Sequence, residues 1–336
     1  MYESLHNHTI TSDGSQTYLE VLETAHEFGF KVVAFTDHDA LPDEAGLKAL
    51  AYYDGPVKWL LGCEISSGLP KELGGGPTGS LHVLGLFTDP DNEALREHCR
   101  RAQEARTERM EQMVANLQRV GLTISVKDCL AQSGGESVGR LHIATAILAN
   151  EENGPVIDQM VADMAEAAKS DPAVAMHYMR LMERDRTDYP FQLFLSQDSF
   201  IQGVYVDYLY NVDFDDSVKL IRDAGGVAVI AHWFTIANSI DLAMLEGMLK
   251  DGRIDGIEIM GKPNNGDAQK AAPKLRELAA KTGCLATYGV DGHSFGQMRT
   301  FSSDRNLCDE TIGQTQDLIK RFKPDLGWTN FEDGLK

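Results

Sequence analysis

The segment Leu5-His6-Asn7-His8-Thr9-Ile10-Thr11-Ser12-Asp13-Gly14 carries three groups able to hold a metal ion. His6 and His8 alternate in position, so on an extended segment both imidazoles face the same side. Asp13 follows five residues after His8, once the segment has turned into a loop, and can approach the same cavity from a second direction. Nitrogen and oxygen donors together suit a divalent transition ion. Taken alone, the segment reads equally well as two exposed polar residues and an N-cap aspartate. The rest of the chain decides between the two.

Similar groups recur at the ends of later apolar runs. Lys31-Val32-Val33-Ala34-Phe35 runs into Thr36-Asp37-His38-Asp39, and Val57 to Cys63 runs into Glu64. Ser80 to Phe87 carries His82 on an apolar background, and Gly226 to Ala231 ends in His232. Ile254 to Ile259 is a further strand, and Cys284 to Val290 leads to Asp291-Gly292-His293. Short, β-branched, continuous runs are the signature of buried parallel strands. Helical periodicity separates several of them, at Gln16–Phe28, Asp215–Ala224 and Asp267–Thr282. The alternation predicts parallel βα units with right-handed crossovers. Such barrels place their chemistry at the C-terminal ends of the strands, where these residues lie. Asp37 and Asp39 are read as loop-capping groups that orient His38.

The middle of the chain breaks this rhythm. Asn92–Gly121 reads as one long helix with Leu95, Cys99, Ala102, Met110, Met113 and Leu117 on one face and a solvated Arg/Glu face opposite. Pro155–Glu183 is helical with a break at Ser170-Asp171-Pro172, and its methionines read as core filler. Residues 106–212 are therefore expected to form a mainly helical insertion capping a barrel made of 1–105 and 213–336. The glycine-rich Gly74–Ser80 lacks the lysine and following helix of a phosphate-binding loop, and reads as a lip beside the site.

A length of 336 residues suits one large α/β barrel or a domain with an insertion. No run reaches the roughly 18 apolar residues of a membrane span, and the polar start lacks a signal-peptide pattern. Five scattered cysteines without CxxC spacing suit a reducing compartment, so a cytoplasmic location is expected. A net charge of −20 disfavours duplex nucleic acid as a partner. Divalent cations would reverse that sign locally, which suits a small anionic substrate.

HNHTITSDG, FTDHD, GCEIS, LHVLG, IAHW and GVDGH, in that order, resemble the polymerase and histidinol phosphatase (PHP) family, in its small nucleotide-phosphatase branch. The likeness spans about residues 4–90 and 212–300. It implies a distorted (β/α)7 TIM-like barrel holding three divalent ions, iron, zinc or manganese. By position, His6, His8, Glu64 and Asp291 would hold the first ion. Glu64 would bridge to a second ion held by His82 and His232, and Asp13, His38 and His293 would hold the third. Gly139-Arg140-Leu141-His142-Ile143-Ala144 matches an Arg-x-His-Ile-Ala stretch of related phosphatases. The likeness implies that Arg140 grips substrate phosphate through its planar fork. His142 would contact the phosphoryl group or protonate the leaving oxygen. Relatives read AHP where this chain has Ala231-His232-Trp233, so Trp233 is expected to line the pocket or stack on a base.

The activity implied is hydrolysis of a small phosphomonoester, with a metal-bridging hydroxide attacking phosphorus in line. The favoured substrate is a nucleotide, either a nucleoside 5′-monophosphate or a 3′,5′-bisphosphate, with histidinol phosphate as the alternative. No membrane partner is expected. An amidohydrolase-like barrel shares the HxH and the final aspartate but has no need of Asp13 or His293. A non-catalytic barrel would not keep all nine ligand positions.

Overall fold

The computed structural model describes residues 2–133, 137–208, 210, 212–259 and 265–326. The chain divides into two compact units, Met1–Ala102 with Tyr210–Lys336, and Gln103–Leu209.

The first unit is α/β. Its strands β1 (Tyr2–Ser4), β2 (Phe30–Phe35), β3 (Lys58–Gly68), β4 (Pro77–Leu86), β5 (Val227–Ile230), β6 (Gly256–Glu258) and β7 (Leu285–Thr287) form one sheet in sequence order. Past the strand ends, Leu5 N–H donates to Tyr288 O (3.0 Å) and Asn7 forms a parallel bridge with Gly292. Residues following β1 therefore meet residues following β7. This pairing keeps the segment after Ser4 extended, so His6 and His8 stay on one side although β1 itself is only three residues long.

One strand departs from the expected parallel pattern. β4 runs antiparallel to both β3 and β5, with Ser66 opposite His82 and Val83 opposite Ile230. The reason is connection length. Only Leu69–Gly76 joins β3 to β4, and a parallel crossover needs roughly a dozen residues or more. Gly74, Gly75 and Gly76 all hold positive φ (99°, 61° and 80°), so the glycine-rich run is the turn of this hairpin.

Helices α1 (Tyr18–Glu27) and α2 (Glu44–Ala51) follow β1 and β2, and α3 (Glu93–Arg119) follows β4. α1 begins with a capping box: Thr17 and Glu20 satisfy each other's backbone N–H groups. The chain enters the second unit within α3, which is followed there by α4 (Val126–Gln132), α5 (Arg140–Ala149), α6 (Asn153–Ala167) and α7 (Pro172–Met182). Back in the first unit come α8 (Phe214–Asp223), α9 (Leu242–Lys250), α10 (Gly266–Thr282), α11 (Phe295–Ser302), α12 (Arg305–Glu310) and α13 (Gln314–Phe322).

Each unit has its own core. Ile65, Leu81, Val83, Phe214, Ile230 and Ile257 pack in the first, and Met110, Met113, Leu117, Ile143, Met164 and Phe194 in the second. The methionines of α7 differ from this filler: Met176, Met179 and Met182 are each more than half exposed. Among the described residues no helix is long and apolar enough to cross a membrane, and the five cysteines are free thiols.

Close strand packing makes one glycine a test of the sheet. A Cβ on Gly62 would overlap the carbonyl oxygen of Gly85 on β4, and backbone cannot rotate aside. Gly62→Ala is expected to lower stability by about 1–3 kcal/mol. Gly247→Ala, inside α9 with open space around it, is expected to raise stability by up to about 1 kcal/mol. Urea unfolding of both variants checks the opposite signs.

Candidate metal centre

Glu64 lies in β3 with no exposed surface, and five imidazoles point at its carboxylate. His6 Nε2 (3.0 Å), His8 Nε2 (3.2 Å) and His38 Nδ1 (3.1 Å) face Oε2. His82 Nδ1 and His232 Nε2, each at 2.9 Å, face Oε1. The two oxygens thus serve two separate groups of ligands. Asp291 Oδ1 completes the first group, 3.4 Å from His6 Nε2 and 3.3 Å from His8 Nε2. These separations match the edge of a tetrahedron whose centre lies ~2.1 Å from each donor.

The other sequence-identified ligands gather beside this core. Asp13 Oδ1 lies 3.3 Å from His293 Nε2 and 3.7 Å from His8 Nδ1, and Asp13 Oδ2 lies 3.9 Å from His38 Nε2. The His8 and His293 rings stack with centroids 4.1 Å apart. Among the described residues three overlapping groups could hold an ion: His8, Asp13, His38 and His293; His6, His8 and Glu64; and His38, Glu64 and His82. His8, His38 and Glu64 each belong to two of them. All nine residues read from the sequence as ligands therefore converge in the first unit.

The donor set fits cations better than hydrogen bonds. His6 Nε2 and His8 Nε2 face each other at 3.1 Å, as do His82 Nδ1 and His232 Nε2 at 3.2 Å. A neutral imidazole has one acceptor nitrogen and one donor, and a carboxylate only accepts. Buried His38 Nδ1 lies close to Glu64 Oε2 yet outside hydrogen-bond geometry, and it has no partner. Lone pairs aimed at common points need positive charge between them.

Electrostatics follow the same logic. Burial pushes the Glu64 carboxyl up, but the surrounding imidazoles, His38 and His6 foremost, outweigh it and hold the group well below the usual carboxylate range. Burial opposes charge on His8, yet the carboxylates of Asp291 and Glu64 lift its imidazolium to about 10. At His38 burial wins, and the imidazole is driven down to about 3.

Supporting residues fix these rings. Glu258, at the end of β6 and fully buried, accepts from His6 Nδ1 (2.9 Å) and from the backbone N–H of His232 (2.9 Å). Its bond to Nδ1 leaves the Nε2 lone pair of His6 facing the cluster. Sequence reasoning passed over Glu258, although a lone carboxylate within the apolar Ile257-Glu258-Ile259 was a visible signal. Asp37 does not act through His38 as expected. Its carboxylate accepts from Thr9 N–H (2.7 Å), Ser12 Oγ (2.6 Å) and Thr9 Oγ1, and so closes the loop after His8. Asp39 accepts from Ser66 N–H (2.9 Å), Ser66 Oγ (2.6 Å) and His98 Nε2 (3.1 Å), which ties the His38 turn to β3 and α3. Asp39, His232 and Asp291 hold positive φ (45°, 27° and 50°), a strained region for residues other than glycine.

Trp233 corrects the sequence reading. Its indole is 5% exposed, sits in the apolar core, and donates from Nε1 to Ile240 O (2.7 Å). The unusual backbone of His232 and the 3-10 turn after it send the indole inward, while Phe234 stands beside the His232 ring, centroids 6.4 Å apart. Arg140 and His142 belong to the second unit, at the start of α5. Arg140 Nη1 donates to Leu195 O (3.2 Å), and buried His142 accepts the Gly139 N–H at Nδ1 (3.0 Å).

With a seven-stranded α/β sheet and this histidine–carboxylate cluster described, comparison with known proteins places the chain. Residues 4–285 match the PHP domain, and the chain belongs to the PHP family. It is 26% identical over 324 residues to the 3′,5′-nucleoside bisphosphate phosphatase of Chromobacterium violaceum, covering 95% of this chain and 93% of that protein. It is 28% identical over 300 residues to the phosphoribosyl 1,2-cyclic phosphate 1,2-diphosphodiesterase of Eggerthella lenta, covering 89% and 97%. Two solved structures share the fold. One, from Bifidobacterium adolescentis and provisionally described as a metal-dependent phosphoesterase, has a TM-score of 0.66 at 23% identity, covering 95% of this chain and 96% of that one. The other, described as an amidohydrolase from Chromobacterium violaceum, has a TM-score of 0.63 at 24% identity, covering 88% of each chain.

Two outcomes are expected. The His8 imidazolium favours the folded metal-free protein fully below pH 6.5 and stops doing so as pH rises through about 10. Metal must displace that proton, so affinity should rise with pH across this window and binding at pH 8 should release protons. Calorimetry in two buffers of different ionisation enthalpy measures the release; none at pH 8 would remove His8 from the ligand set. Glu258→Gln should weaken metal affinity by about 10–100-fold while leaving the fold intact, as read by competition with a chromogenic chelator.

Proposed function

We propose that the chain is a metal-dependent phosphoesterase that hydrolyses a small phosphomonoester. The favoured substrate is a nucleotide, either a nucleoside 5′-monophosphate or a 3′,5′-bisphosphate. The carrying observation is Glu64, whose Oε1 faces one pair of histidines and whose Oε2 faces another set. A carboxylate so placed suits a bridge between two cations. On this reading His6, His8, Glu64 and Asp291 hold one ion, Glu64, His82 and His232 a second, and Asp13, His38 and His293 a third. The sheet supporting them is read as a distorted (β/α)7 barrel. Imidazole and carboxylate donors suit zinc, iron or manganese. Ions held there supply Lewis acidity, which neutralises phosphoryl charge and acidifies water.

The protein's own groups orient and transfer protons. Glu258 fixes the His6 tautomer, and Asp37 holds the loop from which Asp13 projects. Arg140 is assigned to the substrate phosphate by the family likeness. The Gly139 N–H bonded to His142 Nδ1 places the proton of the neutral ring on Nε2, the tautomer able to donate to a leaving oxygen. The bisphosphate phosphatase relative, matched over nearly its whole length, favours a nucleotide. The diphosphodiesterase relative is the reason to include a cyclic ester in the test.

Phosphate release from AMP, adenosine 3′,5′-bisphosphate, histidinol phosphate and a ribose cyclic phosphate by metal-reconstituted protein tests this reading. Release is expected from a nucleotide, and His8→Ala should lower it by at least about 10²-fold. Silence across the panel from fully metal-loaded protein would sink the phosphomonoesterase assignment, whereas release from the cyclic ester alone would replace it with a diesterase.

A further inference from the structure

β3 reaches β4 through Leu69–Gly76 without a crossover α-helix, and part of its outer side is left thinly covered. Leu60 packs inward with Leu5, Val32 and Leu84, so Trp59 and Leu61, one residue to either side, face outward. Further along that outer side, Cys63 and Ile65 share a core cluster with Leu95 and Cys99 of α3. Trp59 and Leu61 remain half-buried, at the edge of the core around Phe35 and Leu50. A cavity of about 510 Å³ opens beside them, walled also by Tyr53, Phe87, Thr88 and Leu326. All of these residues belong to the first unit. Pockets that hold small molecules span roughly 300–1,000 Å³. Trp59 precedes Glu64 by five residues, roughly 16 Å of strand, so the cavity is separate from the metal centre.

Two features of its wall go beyond what packing requires. Phe87 has a φ of 61°, and among the described residues it is the one non-glycine position of positive φ outside the segments that carry the ligands. That backbone breaks the alternation of β4, so the consecutive side chains of Phe87 and Thr88 both line the cavity. Thr88 is 3% exposed, and its hydroxyl has no hydrogen-bond partner among the described residues. A Cβ on Gly85 or Gly226 would meet the Thr88 methyl at 2.9 or 2.7 Å. The methyl is thus seated over those glycines, and the hydroxyl is the end left for the cavity. A buried hydroxyl without a partner costs free energy, which a ligand that bonds it recovers. The Tyr53 hydroxyl, by contrast, is engaged and accepts the Val57 N–H (3.3 Å). Lys58 is the one charged residue on a wall that is otherwise neutral. Three aromatic rings and one unmet hydrogen bond are the complement of a flat ring with a single polar group.

We propose that this cavity is a binding site for a neutral, planar heteroaromatic molecule of one or two fused rings. The ring system packs among Tyr53, Trp59 and Phe87, and its ring N–H donates to Thr88 Oγ1. The site depends neither on bound metal nor on the phosphoesterase reading.

Fluorine NMR of 5-fluoroindole titrated with the full-length protein tests this, with 5-fluoro-1-methylindole, which lacks the N–H, as the second probe. Wild type should bind 5-fluoroindole with a Kd of about 1 mM or tighter. Thr88→Val keeps the shape and removes the hydroxyl, so it should weaken 5-fluoroindole by about three- to tenfold. The same variant should bind the methylated probe within about twofold of wild type and should unfold at a higher urea concentration. A loosened fold would give neither result. Trp59→Ala should weaken both probes by at least about fivefold; if it does not fold, Trp59→Leu makes the same comparison. No binding of 5-fluoroindole by wild type overturns the site. Binding equal to wild type in folded Thr88→Val, or in the folded Trp59 variant, overturns it as well. Binding that appears only in Trp328→Ala would mean that the chain's own side chain is the occupant, and would also overturn it.

Discussion

A single buried carboxylate organises this protein. Glu64 has no exposed surface, yet it stands among five imidazoles from four segments of the chain. Burying a charge without compensation costs several kcal/mol, and here the compensation comes from groups that must themselves be held in place. The surrounding architecture supplies that restraint. Glu258 holds His6 and the backbone of His232, Asp37 closes the loop after His8, and Asp39 ties the His38 turn to Ser66 and His98. Acidic residues thus support the ligands from below while the ligands crowd the one acid above.

The strained backbone of Asp39, His232 and Asp291 belongs to the same constraint. A strand that ends near the cluster must turn sharply to bring its side chain over Glu64 rather than past it. Positive φ at a non-glycine residue costs about 1–3 kcal/mol and persists only where surrounding bonds enforce it. Two of these residues are so enforced, Asp39 by Ser66 and His98 and His232 by Glu258, while Asp291 adjoins Gly292, whose carbonyl accepts from His8 N–H (2.8 Å). The close approach of β3 to β4 has a similar origin, since the missing side chain of Gly62 lets the strands that carry Glu64 and His82 lie side by side.

Much of this was legible because it rests on period and order. Apolar runs ending in His, Asp or Glu mark strands whose ends meet, and the six ordered motifs name the family to which the chain belongs. The helix boundaries also followed from local signals, with α6 and α7 separated where Asp171-Pro172 breaks the pattern. What escaped depends on direction and depth. The antiparallel course of β4 lies in the shortness of the Leu69–Gly76 connection, which hydrophobic patterning does not weigh. Trp233 reads as a pocket residue until the φ of His232 turns its indole into the core. Arg106 and Arg109 look like one more charged helix face, and only the Val204–Tyr208 segment against them shows otherwise.

The pairing of Asn7 with Gly292 bears on how the molecule comes to exist. The β3–β4 hairpin brings Glu64 and His82 together locally, and such contacts form early because little chain must be ordered to make them. His6 and His8, by contrast, wait for Asp291 and His293. During synthesis the first histidines leave the ribosome long before their partners, and domains fold as their chain becomes complete. A nascent chain shorter than residue 293 therefore exposes an HxH segment with no cage around it. On the proposed ligand set, full coordination would therefore be a marker of finished folding.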